Sequence, residues 1–402
     1  MKRKIASNLL HYRGHFLRNP VVTVDSTSGE ILSVESDVEG VDRCAGVEFY
    51  SGIITAGFIN MHSHLELSYL KGAIEEGCGF AAFAAKIGSI RSDEKYTSEV
   101  RNNAAANAIM ELAREGVKAV ADIVNGSTTF ELKSEQNRGS KSQKNGTIEY
   151  QNFAEIFGLK TNNLEQSKEL IDGCNNNLKI SLTQHSTYSL NDKIFKEIAK
   201  QDPTQPLSIH FLESKAEIEL FEGHGSLHEW YAKMGFNSDF LEYGSPAKRI
   251  IASIPKNRSV ILVHNCFVTR EDLDTIMGHF TAPVYWVLCP ESNRYISGIT
   301  PPLELLKTYK CANGEALNIC IGTDSLASAT SLSMLEQMRL LQAEGASLAQ
   351  TLDWATSNGA KALNLNHLGE IAVGKKPGLN ILSGIDYERM ELTNSSRITT
   401  II

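Results

Sequence analysis

"GFINMHSHLELS", Gly57 to Ser68, places two histidines one residue apart, after an apolar run and just before a glutamate. On a strand, residues i and i+2 face the same way, so His62 and His64 aim two imidazoles at one place. The apolar run that carries them begins at Gly52 and is one of eight of the same kind. The others are "VKAVADIVN" from Val117, "YQNFAEIFG" from Tyr150, "LKISLTQHS" from Leu178, "LSIHFLES" from Leu207, "SVILVHNCF" from Ser259, "PVYWVLCPES" from Pro283 and "LNICIGTDS" from Leu317. Continuous apolar runs suit strands buried on both faces, as in a parallel sheet. Helix-like stretches such as Glu99–Glu115 and Ser333–Glu344 alternate with them. Eight strands alternating with helices predict an α/β fold, a (β/α)8 TIM barrel over residues 52–367. No G-x-G-x-x-G opens a helix, which disfavours the open doubly wound sheet. Each run turns polar at its C-terminal end, where barrels build their active sites.

The flanks read differently. Residues 1–51 and 368–402 carry short alternating strands, "VVTVDSTSGEILSVES" and "LGEIAVGKKPGLNILSG", and are expected to pair into a small composite β-sandwich. Residues 126–146 form a polar insertion after the second run, expected as a solvated loop at the rim of the site. The chain has 402 residues, 42% hydrophobic and 21% charged, with a formal net charge of -8. That balance argues against nucleic-acid binding, which needs a basic stripe. Seven scattered cysteines without C-x-x-C fit reduced thiols. The basic N-terminus lacks the apolar core of a signal peptide, and no apolar run is long enough to span a membrane. The expected setting is cytoplasmic and the expected partner a small-molecule substrate, with a homodimer as the assembly.

Three further strand ends extend the histidine pair. "IHFLES" brings His210 and Glu213, "LVHNCF" brings His264, and "IGTDS" brings Asp324. A barrel gathers these ends in one mouth, so the pattern points to a metal site. The residues His62 and His64 in GFINMHSHLELS, His210 in IHFLES, His264 in LVHN and Asp324 in GTDSLAS resemble the amidohydrolase superfamily. The likeness is greatest to its cytosine-deaminase-like and S-adenosylhomocysteine-deaminase-like aminohydrolases, and runs from about Val21 to about Ile381. It implies that His62, His64, His210 and Asp324 bind one divalent ion, zinc or iron. The chain departs from the family pattern at Ala56, where proline is common, and at Pro377-Gly378-Leu379, where Ala-Asp-Leu is usual. Binuclear members carry a lysine at the end of the fourth strand. Here Gln184 and His185 stand there, and Lys179 lies at the opposite end, which favours one ion.

The chemistry implied is hydrolysis of an exocyclic amine on a purine- or pyrimidine-like ring. Three imidazoles and a carboxylate leave room for a water whose pKa a divalent ion lowers from 15.7 to roughly 7. Asp324 would take the water's proton and His264 would orient the nucleophile. Glu213 would protonate the ring nitrogen and the departing ammonia, unless it merely caps the helix that follows. Glu66, His185, Ser292 and Asn293 are the candidate substrate contacts, and Ser325 is placed to hold Asp324. His224 and His228 have ligand spacing but lack an H-E-x-x-H glutamate. An adenine-bearing nucleoside is the expected substrate. Triazine-type displacement and cyclic-amide hydrolysis are alternatives on the same site, and a metal-holding barrel without catalysis is the reading from another class.

Overall fold

The first apolar run is cut in two by Gly57. A Cβ added there would lie 2.1 Å from Lys118 Cγ and 2.8 Å from the Pro377 carbonyl oxygen, while the Gly57 N–H donates to that same carbonyl. Only a residue without a side chain passes between Lys118 and Pro377. The segment before it, Glu48–Ala56, therefore leaves the barrel and pairs antiparallel with Leu379–Asp386. Gly52–Ala56 thus belong to the terminal sheet, and the barrel begins at Phe58.

The computed structural model describes residues 1–91, 93–137, 147–174 and 178–402. Its eight barrel strands are β1 (Phe58–Ser63), β2 (Val117–Val124), β3 (Glu149–Ile156), β4 (Lys179–Gln184), β5 (Leu207–Phe211), β6 (Val260–His264), β7 (Val284–Leu288) and β8 (Asn318–Ile321). β1–β4 form one parallel ladder and β5–β8 another. The two ladders meet at two seams near the strands' C-terminal ends. At one, Ser63 bridges Asp324 and the His62 carbonyl accepts the N–H groups of Thr323 and Asp324. At the other, Ser186 bridges His210 and the His185 carbonyl accepts the His210 N–H.

The strands are apolar because both faces are covered; all eight residues of β2 are buried. Alternate residues enter different cores. Val120, Val124, Val260 and Leu262 pack in a large cluster with helix residues such as Leu112, Leu273 and Met338. Ala119, Ala121, Ile261 and Val263 pack in a second cluster with Met61, Phe153 and Val287. This is the period-2 pattern of a strand with two apolar faces.

The terminal segments form one seven-stranded sheet. Its path runs Glu391–Thr400, Leu379–Asp386, Glu48–Ala56, Lys2–Tyr12, Val21–Asp25 and Ile31–Glu35, with His15–Arg18 paired to Lys2–Tyr12. Ile5, Val22, Ile54, Leu379 and Ile381 make its core. Among the described residues, no disulfide joins any of the seven cysteines. Among the described residues, no helix is long and apolar enough to cross a membrane.

Part of the polar insertion is helical rather than loop. Phe130–Asn137 forms a helix, while residues 138–146 lie outside the described residues. The helix is held by a buried charge. Lys133 Nζ donates to Asp122 Oδ2 at 2.5 Å and to Asn152 Oδ1, and both side chains of the ion pair are fully buried. Asp122 Oδ1 accepts the N–H of Leu65, the residue directly after His64. Removing one member of a buried pair leaves the other uncompensated and typically costs about 3–5 kcal/mol. Lys133→Met is accordingly expected to lower the unfolding free energy in urea by roughly that amount. Adding Asp122→Asn should recover most of it; a Lys133→Met variant as stable as the parent would remove the ion pair from this account.

Candidate active site

The strand ends converge as the alternation requires. His62 Nε2 and His64 Nε2 lie 3.2 Å apart. The His210 ring centroid is 4.9 Å from that of His62 and 5.5 Å from that of His64. One nitrogen from each of the three falls within a common 4.8 Å. Asp324 Oδ1 sits 3.8 Å from His62 Nε2 and 3.5 Å from His64 Nε2. Its other oxygen accepts the hydroxyls of Ser292 at 2.6 Å and Ser328 at 3.2 Å. His210 Nδ1 is paired with the His185 carbonyl at 2.7 Å, which leaves Nε2 for the cluster.

His264 reaches the same place by a different route. Strand parity would give it the face of Val260 and Leu262, which pack in the large cluster. Its φ of 80° breaks the alternation, and its ring joins the cavity 5.4 Å from that of His210. Leu212, Asn265 and Asp324 also have positive φ, at 50°, 58° and 58°. Non-glycine residues in this region cost about 1–3 kcal/mol each and cluster where function holds them. His264 Nδ1 pairs with Asn293 Oδ1 at 2.9 Å, and His264 Nε2 lies 3.8 Å from Glu213 Oε1.

Burial sets the protonation states. It pushes His62 well below the ordinary imidazole range, helped by His210 and His64. It brings His210 down to about 4, with His264 adding to the effect, and lowers His264 as well. For Asp324 burial works upward, but His64, His264 and the Ser292 hydroxyl outweigh it and the pKa falls. Glu213 goes the other way. Burial, reinforced by the Asp324 charge, raises it to about 8. Two carboxyls in one cavity are thus driven apart. Neutral imidazoles and an ionised carboxylate are the donor set that zinc and similar ions take, and the close, otherwise unproductive approach of His62 and His64 nitrogens fits a shared cation.

A cavity of about 470 Å³ opens above the cluster. His64, His210, Glu213, His264, Asp324 and Ser325 line its polar end, together with His185 and Glu155. Two helices inserted after β1 and β5, Phe80–Ile90 and Gly225–Met234, flank the rest with Phe80, Phe83, Leu227 and Trp230.

Not every sequence-predicted contact faces this cavity. Glu66, taken as a substrate contact, turns away from it. Its oxygens accept the N–H groups of Asn125 at 2.9 Å and Gly126 at 3.2 Å, so it clamps the loop after β2, and burial raises its pKa to about 7. Ser292 and Asn293, also taken as substrate contacts, lie on the helix Pro290–Ser297 and do not line the cavity. They hold Asp324 and His264 instead. Ser325, expected from the sequence to hold Asp324, lines the cavity instead, and Ser328 and Ser292 hold Asp324. His185 does line it. His224 is exposed and paired with Glu222, away from the cluster.

One polar residue went unnoticed in the sequence. Glu155 closes β3, takes the Asn125 side-chain N–H on Oε1 at 2.7 Å, and is almost wholly buried. Burial works against its charge, but His185, His64 and His210 overcome it and hold the pKa at about 2. Burial also brings His185 down to about 4, with His210, His64 and Arg91 adding to it against the opposing Glu155. Glu155, His185 and His210 form a second trio with ligand atoms within 4.8 Å. It shares His210 with the first, so the two trios cannot both be complete. A lone glutamate ending the apolar run "YQNFAEIFG" was the available signal.

Comparison with known proteins places this geometry. A family model described as "Amidohydrolase family" matches residues 53–401. The adenosine deaminase of Helicobacter pylori is 29% identical over 343 residues, covering 83% of this chain and 79% of its own. The aminodeoxyfutalosine deaminase of a Nitratiruptor species is 25% identical over 378 residues, covering 91% and 87%. The crystal structure of Helicobacter pylori aminofutalosine deaminase in complex with methylthio-coformycin matches with a TM-score of 0.75 at 25% identity, over 97% of this chain and 93% of that one. With its eight-stranded barrel and converging histidines, this chain belongs to the amidohydrolase family and is a hydrolase of carbon–nitrogen bonds.

Proposed function

We propose that the protein is a metal-dependent aminohydrolase that replaces the exocyclic amine of an adenine-bearing nucleoside with oxygen, consuming water and releasing ammonia. The observation that carries this reading is Glu213, a proton-bearing carboxyl facing the same cavity as the histidine cluster. Simple amide hydrolysis has less need of it, whereas loss of ammonia from a ring requires a proton on the ring nitrogen and another on the leaving group. The relatives named above, both deaminases, support the same choice.

His62, His64, His210 and Asp324 would hold one ion, zinc or iron. When bound, the ion supplies the Lewis acidity that makes water nucleophilic near neutral pH. A single ion fits the fourth strand end, where Gln184 Nε2 is spent on the Phe195 carbonyl and Lys179 begins the strand. The chain's own groups do the rest. Asp324 Oδ1 faces the cluster as the proton acceptor, because two serine hydroxyls occupy Oδ2. His264, with Nδ1 fixed by Asn293, presents Nε2 to the attacked carbon. Glu213 gives its proton to the ring nitrogen, takes one back from the added hydroxyl and passes it to the departing amine, and the proton that Asp324 took from the water restores Glu213. His185 would touch the sugar.

Three outcomes are expected. Metal analysis of the purified protein should give one divalent ion per chain, and chelation should abolish ammonia release from adenine nucleosides until zinc or iron is restored. Glu213→Gln should keep that ion and lose about 10²–10⁴ in kcat; unchanged turnover would exclude Glu213 as the acid. Because Glu213 is raised to about 8, its proton is present below that pH and lost above it. The kcat profile should therefore fall as pH rises through about 8, and this limb should vanish in the glutamine variant. If no aminated purine nucleoside yields ammonia, the reading is wrong.

A further inference from the structure

The groups that meet at the histidine cluster are braced in different ways. His210 is held through Nδ1 by the His185 carbonyl, His264 through Nδ1 by Asn293, and Asp324 through Oδ2 by Ser292 and Ser328. His64 is braced through its backbone. β1 ends at Ser63, and its pairing with β2 already slips between Asn60 and Ser63. His64 stands just outside the strand, with φ -123° and ψ 75°, at the entry of the turn Leu65–Leu70. The peptide unit that joins His64 to Leu65 is planar, so fixing that plane sets ψ of His64 and the direction of its side chain. Both ends of the plane are held. The His64 carbonyl accepts the Leu67 N–H at 2.9 Å, and the Leu65 N–H donates to Asp122 Oδ1 at 2.9 Å. Asp122 lies on β2 and is wholly buried. A buried carboxylate keeps its place only where its charge is met. Lys133 Nζ meets it on Oδ2 at 2.5 Å and also donates to Asn152 Oδ1, while the Asn152 amide donates to the Lys179 carbonyl at 3.0 Å. The Phe130 and Tyr150 rings flank the ammonium at 5.9 and 5.2 Å. This network joins the helix Phe130–Asn137 to β2, β3 and the start of β4, and its far end is the peptide after His64.

Resting on the single-ion reading above, and not on the choice of substrate, we infer that Asp122 is a positioning residue for the metal ligand His64. Asp122 supplies the acceptor that sets the main chain of His64, and Lys133 supplies the countercharge that orients this acceptor. Lys133 comes from the polar insertion after β2, so the insertion helps to hold the ion and is more than a rim.

The test separates position from stability with two double variants of the full chain, stripped of metal and titrated with zinc against a competing chelator. Asp122→Asn with Lys133→Met removes both charges but keeps an oxygen for the Leu65 N–H, on an amide that needs no countercharge. Asp122→Leu with Lys133→Met removes both charges and that oxygen. Replacing a buried ion pair by uncharged groups of similar volume is often neutral for stability, so both variants should unfold in urea near the parent midpoint. Loss of a group that orients a metal ligand costs about 10–100-fold in affinity. The leucine variant should sit at the low end, about tenfold weaker for zinc than the parent, because the brace acts through one peptide unit. The asparagine variant should stay close to the parent. A leucine variant that binds zinc as tightly as the parent overturns the proposal. Equal weakening in the two variants overturns it as well, since the loss would then follow the ion pair and not the acceptor. Should the leucine variant fail to fold, Asp122→Ser with Lys133→Met, whose oxygen is one bond shorter, is read by the same criteria. A parent chain that takes up no zinc overturns the single-ion reading and this inference with it. Ammonia release plays no part in the readout, so a failure confined to the variants leaves the proposed activity standing.

Discussion

Parallel strands of matched register end together, and in this barrel that constraint forces imidazoles from four strand segments into contact distance. His62 and His64 follow from one strand's alternation, and His210 from another's. Nothing in their own chemistry draws neutral or cationic histidines together; burial and mutual repulsion both oppose their charge. The ladder holds them regardless, because slipping a strand by one residue would exchange the side chains its two faces present and send barrel-facing residues into the helix layer. The cost reappears in the backbone, where Leu212, His264, Asn265 and Asp324 adopt left-handed φ values at the same ends of three strands.

The barrel and its metal-type cluster were legible in the sequence because both are periodic. Eight apolar runs with polar ends announce the strands, and an H-x-H pair at period two announces a shared face. What escaped was set by features that have no period. Glu66 follows His64 in a 3₁₀ turn, Leu65–Leu70, so its direction could not be read from strand alternation. Ser292 and Asn293 sit on the first turns of a helix and hold Asp324 and His264 by hydrogen bonds. Glu155 is a single polar residue within the apolar run of its strand, with no spacing that sets it apart. The break at Gly57 was hidden for a different reason: the apolar run continues unbroken across it, and only the close approach of Lys118 and Pro377 requires the chain to change sheets.

The three carboxyl groups near the cavity show how far environment overrides residue type. Glu213 has burial and an anionic neighbour, and keeps its proton. Asp324 has imidazoles and a serine hydroxyl, and loses it. Glu155, deep beside His185, stays ionised because the surrounding imidazoles outweigh burial. One cavity thereby holds an acid and a base at neutral pH, which is the arrangement that proton transfer in both directions requires.

The two seams of the barrel bear on how this molecule ages under heat. Within each four-stranded half the ladders are long, five matched pairs between β5 and β6 and six between β3 and β4. Between the halves, a few bonds around Ser63, Asp324, Ser186 and His210 do the joining. His62 and His64 lie on one side of these lines, and His210, His264 and Asp324 on the other. A parting of the ring along these two lines would separate His62 and His64 from His210, His264 and Asp324 while the ladders inside each half stayed paired.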